Sequence, residues 1–565
     1  MRDRSGWNPL TLAFLAALWI AVLCNGPLWS ALRELPETAS LRGTLFVAGF
    51  ALMIAALTGA LLVLFAWRRA VKVAIAVALL SAALGAHFMS TYGVVIDPSM
   101  MTNVLQTDPR EVRDLLSWRM LAYVGLLAAL PIALLWRVPV QRLRFAAQLG
   151  RNLAAFVVAW LVLGALVFML FADLSATMRN HRSMRYLINP LNSFFALATL
   201  AHESNRKPAG PPAPIGRDAK AMPRAAGTAP PLLLLVIGET ARADHFALNG
   251  YTRPTNPELA KLGVVSFADV TSCGTNTAAS LPCMFSHLGK QRYESRSGDS
   301  ENLLDLAQRA GLAVLWLDNQ AGCKGLCDRV PHAYASEPAP GASASTSASA
   351  PASTPASAGA TAALCSSDGE CLDEALLVGL DARLAALPAA ARERGVLIVL
   401  HQMGSHGPAY SKRSPPQRKP FMPECTTNVL QQCDRNALVN AYDNSIVYTD
   451  HMLAQAIAWL AQRQPEYAPA LLYVSDHGES LGENNLYLHG LPYAVAPREQ
   501  THVPMIAWLP AGARAASGLS LECLGRERSK ALSHDNLFHV TLGVLGIQAS
   551  EYRPALDAFA PCRAP

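Results

Sequence analysis

Five long apolar stretches crowd the first third of the chain, near residues 10–30, 43–66, 73–95, 120–136 and 152–172. Each approaches the roughly 20 residues that a helix needs to cross a bilayer. A run this apolar satisfies its backbone only as a helix within lipid, so the stretches predict a five-helix transmembrane domain over residues 1–172. The first stretch has the length of a signal peptide, but four more follow and no small-residue cleavage site is evident, which argues that it is retained.

Charge gives the orientation. The net charge of +6 is unevenly spread: residues 1–172 hold 14 Lys/Arg against 7 Asp/Glu, and the remainder holds 33 against 34. The membrane part is therefore +7 and the rest −1, which argues against a nucleic-acid partner. The basic groups that begin with Arg2, Arg68 and Arg137 total nine, whereas those that begin with Arg33 and Arg110 total four. The positive-inside bias puts the N-terminus in the cytoplasm and, after five crossings, everything beyond residue 172 outside. Ten of the eleven cysteines lie beyond that point, with only Cys24 in a span. An even number of cysteines in an exported domain predicts disulfides. Close neighbours such as Cys273 and Cys283 or Cys323 and Cys327 suggest local pairs, but spacing leaves the connectivity open. No CxxC pair points to a zinc ribbon.

After the fifth span, Arg179, Arg182 and Arg185 precede a mixed aromatic and polar segment, Tyr186 to Leu200, which reads as an interfacial helix. Residues 204–230, rich in Pro, Ala and Gly, suit a linker, so 173–230 is expected as interfacial helix and linker and 231–565 as the catalytic domain. Four short, continuous apolar runs follow: PLLLLVIGE at 231–239, LAVLWLDN at 312–319, GVLIVLHQ at 395–402 and PALLYVSDHGE at 469–479. Runs apolar on both faces, separated by helix-length tracts, predict an α/β fold with a mostly parallel central sheet. In such sheets ligands bind beyond the carboxyl ends of the strands, which gathers Glu239, Asp318, His401 and Asp476. The Ala, Ser, Pro and Thr tract at 337–363 is expected to be a disordered loop.

Within that frame, SCGTNTAASLPCM at 272–284 places Thr277 near a helix start. A threonine hydroxyl is a weak nucleophile and needs a metal or a base; alone, Thr277 reads as a helix cap. Glu239 at one strand end and Asp476-His477 at another change this, because two carboxylates, an imidazole and an alkoxide make a four-ligand set. Its mixed oxygen and nitrogen donors suit zinc, with manganese as a substitute.

The segments IGETAR at 237–242, SCGTNTAASLPCMFS at 272–286, HQMGSHGPAY at 401–410 and SDHGESLGENNLYLHGLPYA at 475–494 resemble the lipid A phosphoethanolamine transferase family. That family includes the mobile colistin-resistance enzymes and belongs to the alkaline phosphatase and sulfatase superfamily. The resemblance covers essentially the whole chain. It implies that Glu239, Thr277, Asp476 and His477 hold Zn2+, that Thr277 carries the phosphoethanolamine, and that His406 and His489 handle the substrate or bind a second, weaker zinc. It matches Lys324 to a substrate contact, although the family serine three residues earlier is Ala321 here. In the loop after the third span, Asn103, Thr107 and Glu111 recur every four residues and would share one helical face; the resemblance makes them headgroup contacts. It further implies phosphatidylethanolamine as donor, lipid A as acceptor, resistance to cationic peptides such as polymyxin, and a Gram-negative inner membrane with a periplasmic catalytic domain. The rival readings are a transferase for core sugars or glucans, a phosphodiesterase that ends with water, and a membrane-tethered metal-binding envelope protein.

Overall fold

Helices occupy the chain up to residue 206 and a mixed α/β architecture follows, in a computed structural model that describes residues 6–107, 109–206, 210–225, 227–340, 361–366 and 369–564. Most of the tract expected to be disordered, residues 341–360, lies outside the described residues. The chain divides into two compact units, Met1–Thr102 with Leu116–Ser204 and Asn103–Leu115 with Asn205–Pro565.

In the first unit, the helices Leu41–Leu64, Val71–Tyr92, Trp118–Arg137 and Phe145–Met169 are long and apolar enough to cross a membrane. The first stretch is not one straight span but a pair, Pro9–Leu23 and Gly26–Arg33, bent by 46°. Pro27 opens the second helix, so the backbone ladder fails between the two. Side chains take over the freed groups. Asn189 donates from Nδ2 to the Cys24 carbonyl at 2.9 Å, and Asn25 donates to Ile20 O at 3.0 Å and Asn189 O at 2.8 Å. In an apolar surround each unpaired carbonyl costs several kcal/mol, which explains two buried asparagines at this break. The outer faces carry Trp118, 81% exposed, and Phe168, 85% exposed, which is tolerable only against lipid. After the last span come a helix, Phe171–Asn180, a short 3-10 turn, Arg182–Leu187, and a second helix, Leu191–Arg206, where one interfacial helix was expected.

The second unit is built on an eight-stranded sheet in the order Leu532–Ser533, Val265–Thr271, His502–Trp508, Ala468–Ser475, Pro231–Gly238, Val396–His401, Ala313–Asp318 and His332–Tyr334. His502–Trp508 runs antiparallel to both of its neighbours and the other pairings are parallel. The four apolar runs of the sequence are the four adjacent central strands. Leu232 to Ile237 and Val396 to Leu400 are fully buried, as strands covered on both faces require. The long helix Arg435–Ala461, capped by Asp434, packs against this sheet.

Two sequence expectations change here. The stretch around 213–222 is held on the sheet unit rather than acting as a linker: Lys220 and Ala221 pair with Gln548 and Ile547, and Gly216 N donates to Glu551 at 2.8 Å. The helix face proposed for Asn103, Thr107 and Glu111 does not form: Asn103 belongs to the helix Pro98–Gln106, Glu111 to the helix Pro109–Leu115, and Thr107 to neither. Pro109 is the cause, because it removes a donor and disfavours a helical residue before it. The ten exported cysteines form five disulfides: 273 with 283, 323 with 327, 365 with 371, 425 with 433, and 523 with 562.

Candidate active site

The carboxyl ends of two adjacent strands meet the start of one helix. Glu239 follows Pro231–Gly238, Asp476 and His477 follow Ala468–Ser475, and Thr277 is the first residue of the helix Thr277–Met284. Asn276 caps that helix by accepting from Ala279 N at 2.9 Å, which fixes where the Thr277 side chain emerges. All four residues are buried.

Thr277 Oγ1 donates to Glu239 Oε2 at 3.0 Å and lies 3.4 Å from His477 Nε2. The same Nε2 is 3.3 Å from Glu239 Oε1 and 3.4 Å from Asp476 Oδ2. His477 Nδ1 is 2.9 Å from the Gly478 carbonyl and must donate to it, so Nε2 is the ring atom turned toward the two carboxylates. Glu239 Oε1 and Asp476 Oδ2 are buried and have no hydrogen-bond partner. Acceptors converging without donors are stable only around a cation, and Glu239, Asp476 and His477 offer ligand atoms that all lie within 4.8 Å of one another. The donor set thus fits a metal ion. The electrostatics agree: burial and then Asp476 lift Glu239 to about 7. Burial opposes the His477 cation, yet Asp476 and Glu239 outweigh it and hold its pKa up to about 10.

A second group lies alongside. The His477 and His489 ring centroids are 4.3 Å apart, and those of His489 and His406 are 5.5 Å apart. His489 Nδ1 donates to Glu479 Oε2 at 2.7 Å, and Tyr410 donates to the other oxygen of that carboxylate at 2.5 Å. Burial, and then the His489 and Arg413 charges for His406 and the His477 charge for His489, keep both imidazoles well below the usual histidine range. The pair therefore offers lone pairs rather than positive charge. Glu479, lifted to about 8 mainly by burial, completes a second candidate ligand group with His477 and His489. Its place two residues after His477 was the available sequence signal.

Gln320 is a residue that sequence reasoning missed. Its Nε2 donates to Glu239 Oε2 at 3.2 Å, and its backbone N–H is fixed by Asp318 Oδ1 at 2.9 Å. The other Asp318 oxygen receives His401 Nδ1 at 2.9 Å, so the strand-end pair of Asp318 and His401 braces Gln320, and through it Glu239, instead of joining the cluster. Lys324 donates to Ala321 O at 3.1 Å and Gln106 O at 3.3 Å. Thr107 Oγ1 donates to Asn103 O at 2.8 Å. Among the described residues no hydrogen bond joins Asn103 or Thr107 to the Thr277 cluster, and the Glu111 side chain lies outside what is described.

Comparison with known proteins decides the family. Residues 231–547 match the sulfatase family model, and residues 53–204 match the model of phosphoethanolamine transferases EptA/EptB. The chain is 38% identical over 561 residues to phosphoethanolamine transferase EptA of Salmonella typhimurium, covering 97% of this chain and 96% of that one. The chain belongs to the phosphoethanolamine transferase family. It is 39% identical over 472 residues to phosphatidylethanolamine transferase Mcr-1 of Escherichia coli, covering 81% of this chain and 83% of that protein. Its structure is similar to that of the integral membrane lipooligosaccharide phosphoethanolamine transferase A of Neisseria meningitidis, with a TM-score of 0.88 at 31% identity over 98% and 99% of the two chains.

Within this transferase one glycine guards the ligand geometry. Gly404 has φ +52°, and a Cβ there would lie 2.7 Å from Glu239 O, 2.9 Å from Glu239 N and 3.1 Å from Glu239 Cβ. A Gly404→Ala substitution is expected to slow transfer roughly 100-fold by displacing Glu239, since misplacements of about 1 Å have that effect. The check is turnover alongside metal content in protein of unchanged helical signal; wild-type turnover would show that the loop relaxes around the methyl group.

Proposed function

We propose that this transferase moves phosphoethanolamine from phosphatidylethanolamine to a lipid A phosphate in two steps through Thr277, with zinc held by Glu239, Thr277, Asp476 and His477. The observation that carries this is a buried threonine hydroxyl 3.0 Å from a carboxylate and 3.4 Å from an imidazole that faces two orphaned carboxylate oxygens. Zinc bound there lowers the pKa of the Thr277 hydroxyl and offsets the charge that develops on the phosphoryl oxygens.

The protein's own groups supply the rest. Thr277 Oγ attacks phosphorus, the bond to the diacylglycerol oxygen breaks, and that oxygen leaves with a proton as the alcohol. The N-terminus of the helix that begins at Thr277 turns its positive end toward the phosphoryl oxygens. Gln320 holds Glu239 in place, and Lys324, Asn103, Thr107 and Glu111 are assigned to the headgroup. His406 and His489 present lone pairs to the ethanolamine ammonium or to a second zinc shared with Glu479. In the second step an oxygen of the lipid A phosphate attacks the phosphothreonine, which restores the Thr277 hydroxyl. The acceptor gains an ammonium and loses affinity for cationic peptides such as polymyxin. On this reading the chain sits in a Gram-negative inner membrane with its catalytic domain, residues 231–565, in the periplasm.

The acceptor is tested by mass spectrometry of lipid A from Gram-negative cells that express the wild-type chain. The expected result is a phosphoethanolamine adduct on lipid A and a raised polymyxin tolerance. Unmodified lipid A with an adduct on core sugars would transfer the activity to another acceptor, and free phosphoethanolamine without any adduct would make the enzyme a phosphodiesterase.

A further inference from the structure

We propose that His534, more than 250 residues away in sequence from Thr277, is a positioning residue that sets the distance between the nucleophile and its metal ligands; the inference rests on the assignment of Thr277 as nucleophile. The short strand Leu532–Ser533 pairs in parallel with Val270 and Thr271, so the residue that follows it arrives beside the loop leading to Thr277. There His534 Nδ1 accepts from the Cys273 backbone N–H at 3.0 Å. On the far side of the ring, Nε2 lies 2.9 Å from the carbonyl oxygen of Ser475 and donates to it. Cys273 lies four residues before Thr277, and Ser475 immediately precedes Asp476 and His477. One rigid five-membered ring therefore spans the two backbones whose separation determines whether Thr277 can reach the ligand set.

The bonding leaves the ring a single form. Nδ1 faces a donor and must be unprotonated, whereas Nε2 faces an acceptor and must carry the hydrogen, so only the neutral Nε2–H tautomer satisfies both contacts. The ring is 1% exposed, which removes water as an alternative partner. Its surroundings favour the neutral form: burial, with His477 from the strand end and Lys290 from the helix Lys290–Glu294, outweighs the Ser475 carbonyl and Asp476 and holds the pKa down to about 4. Ser280, one turn into the Thr277 helix, closes the arrangement by donating to the Asp476 carbonyl, with its Oγ 3.3 Å from His534 Nδ1. No step of the transfer needs His534 to exchange a proton. Its part is to keep two backbone segments at one spacing.

Two variants separate this from a filling role. His534→Asn keeps an acceptor near the main chain for Cys273 and loses the reach to Ser475; His534→Gln extends an amide toward Ser475 and moves the acceptor away from Cys273. The full-length protein in detergent micelles is mixed with phosphatidylethanolamine, and the rate of adduct formation on Thr277 is followed by mass spectrometry and referred to the folded, zinc-loaded fraction. At least one variant is expected to form the adduct 10 to 100 times more slowly, with KM for the lipid and the zinc content as in the wild type. Rates within threefold of wild type in both variants overturn the proposal, as does a loss that merely follows zinc content or appears in KM alone. If His534→Asn does not fold, His534→Gln decides by the same thresholds. A wild-type enzyme that forms no adduct on Thr277 would instead overturn the nucleophile assignment, so the two failures are distinguishable.

Discussion

A Thr277→Ala enzyme is expected to form no covalent phosphoethanolamine adduct and to lose transfer activity by a factor of roughly 10^3 or more, the scale on which loss of a nucleophile is felt in other covalent enzymes. The substitution removes one hydroxyl and leaves Glu239 Oε2 with the Gln320 amide as a partner at 3.2 Å, so the fold has little reason to change. Intact-mass measurement after incubation with phosphatidylethanolamine checks the adduct, and lipid A from expressing cells checks the product. Thr277→Ser, which keeps the hydroxyl, should retain the adduct. If the alanine variant still carried phosphoethanolamine, another nucleophile would have to be found, and the helix start at Thr277 would be only a capped turn.

The second large effect concerns the metal. On the proposed ligand set Asp476 holds the zinc, and Asp476→Asn should then abolish measurable turnover together with zinc content. Without zinc, Glu239 and Asp476 are like charges buried side by side, and Asp476 helps to raise Glu239 toward about 7. Neutralising Asp476 relieves that repulsion but also removes its attraction for the His477 cation, so the two effects oppose each other in the empty protein. A metal present at 100 times its dissociation constant adds about 2.7 kcal/mol to the folded state, which at about 2.1 cal/mol/K per residue corresponds to about 3–4 °C in Tm for a body of this size. A chelator should therefore lower the Tm of the wild type by about that amount and leave that of Asp476→Asn unmoved. Equal chelator responses from the two proteins would remove Asp476 from the metal site.

Much of this was legible because the relevant patterns are one-dimensional. The strands 231–238, 313–318, 396–401 and 468–475 are continuous apolar runs, since both of their faces are covered, and the polar residue that ends each run is where the sheet delivers it. The strands Val265–Thr271 and His502–Trp508 are harder to read because polar residues break their apolar runs: Ser266 and Asp269 lie inside the first, and the second begins with His502. Gln320 and Tyr410 were illegible for another reason. Each acts on a ligand through its side chain across a long sequence interval, which neither periodicity nor spacing records. His534 is harder still, because it binds backbone atoms, and backbone partners leave no trace in residue type. Pro109 was a signal in plain view, and the regular spacing of Asn103, Thr107 and Glu111 concealed it.

The pairing order of the sheet carries a consequence for when the enzyme comes into being. The central Pro231–Gly238 strand waits for Ala468–Ser475, and the strand leading to Thr277 is flanked by His502–Trp508 and Leu532–Ser533. Contacts this distant form late, because the loop between them must close first. A chain emerging outside the membrane would display Glu239 and Thr277 long before it held Asp476 and His477 against them, and would fix their spacing only within its last forty residues. Until then, on the proposed assignment, Thr277 lacks the groups that would activate it, and catalytic competence is the last property such a chain acquires.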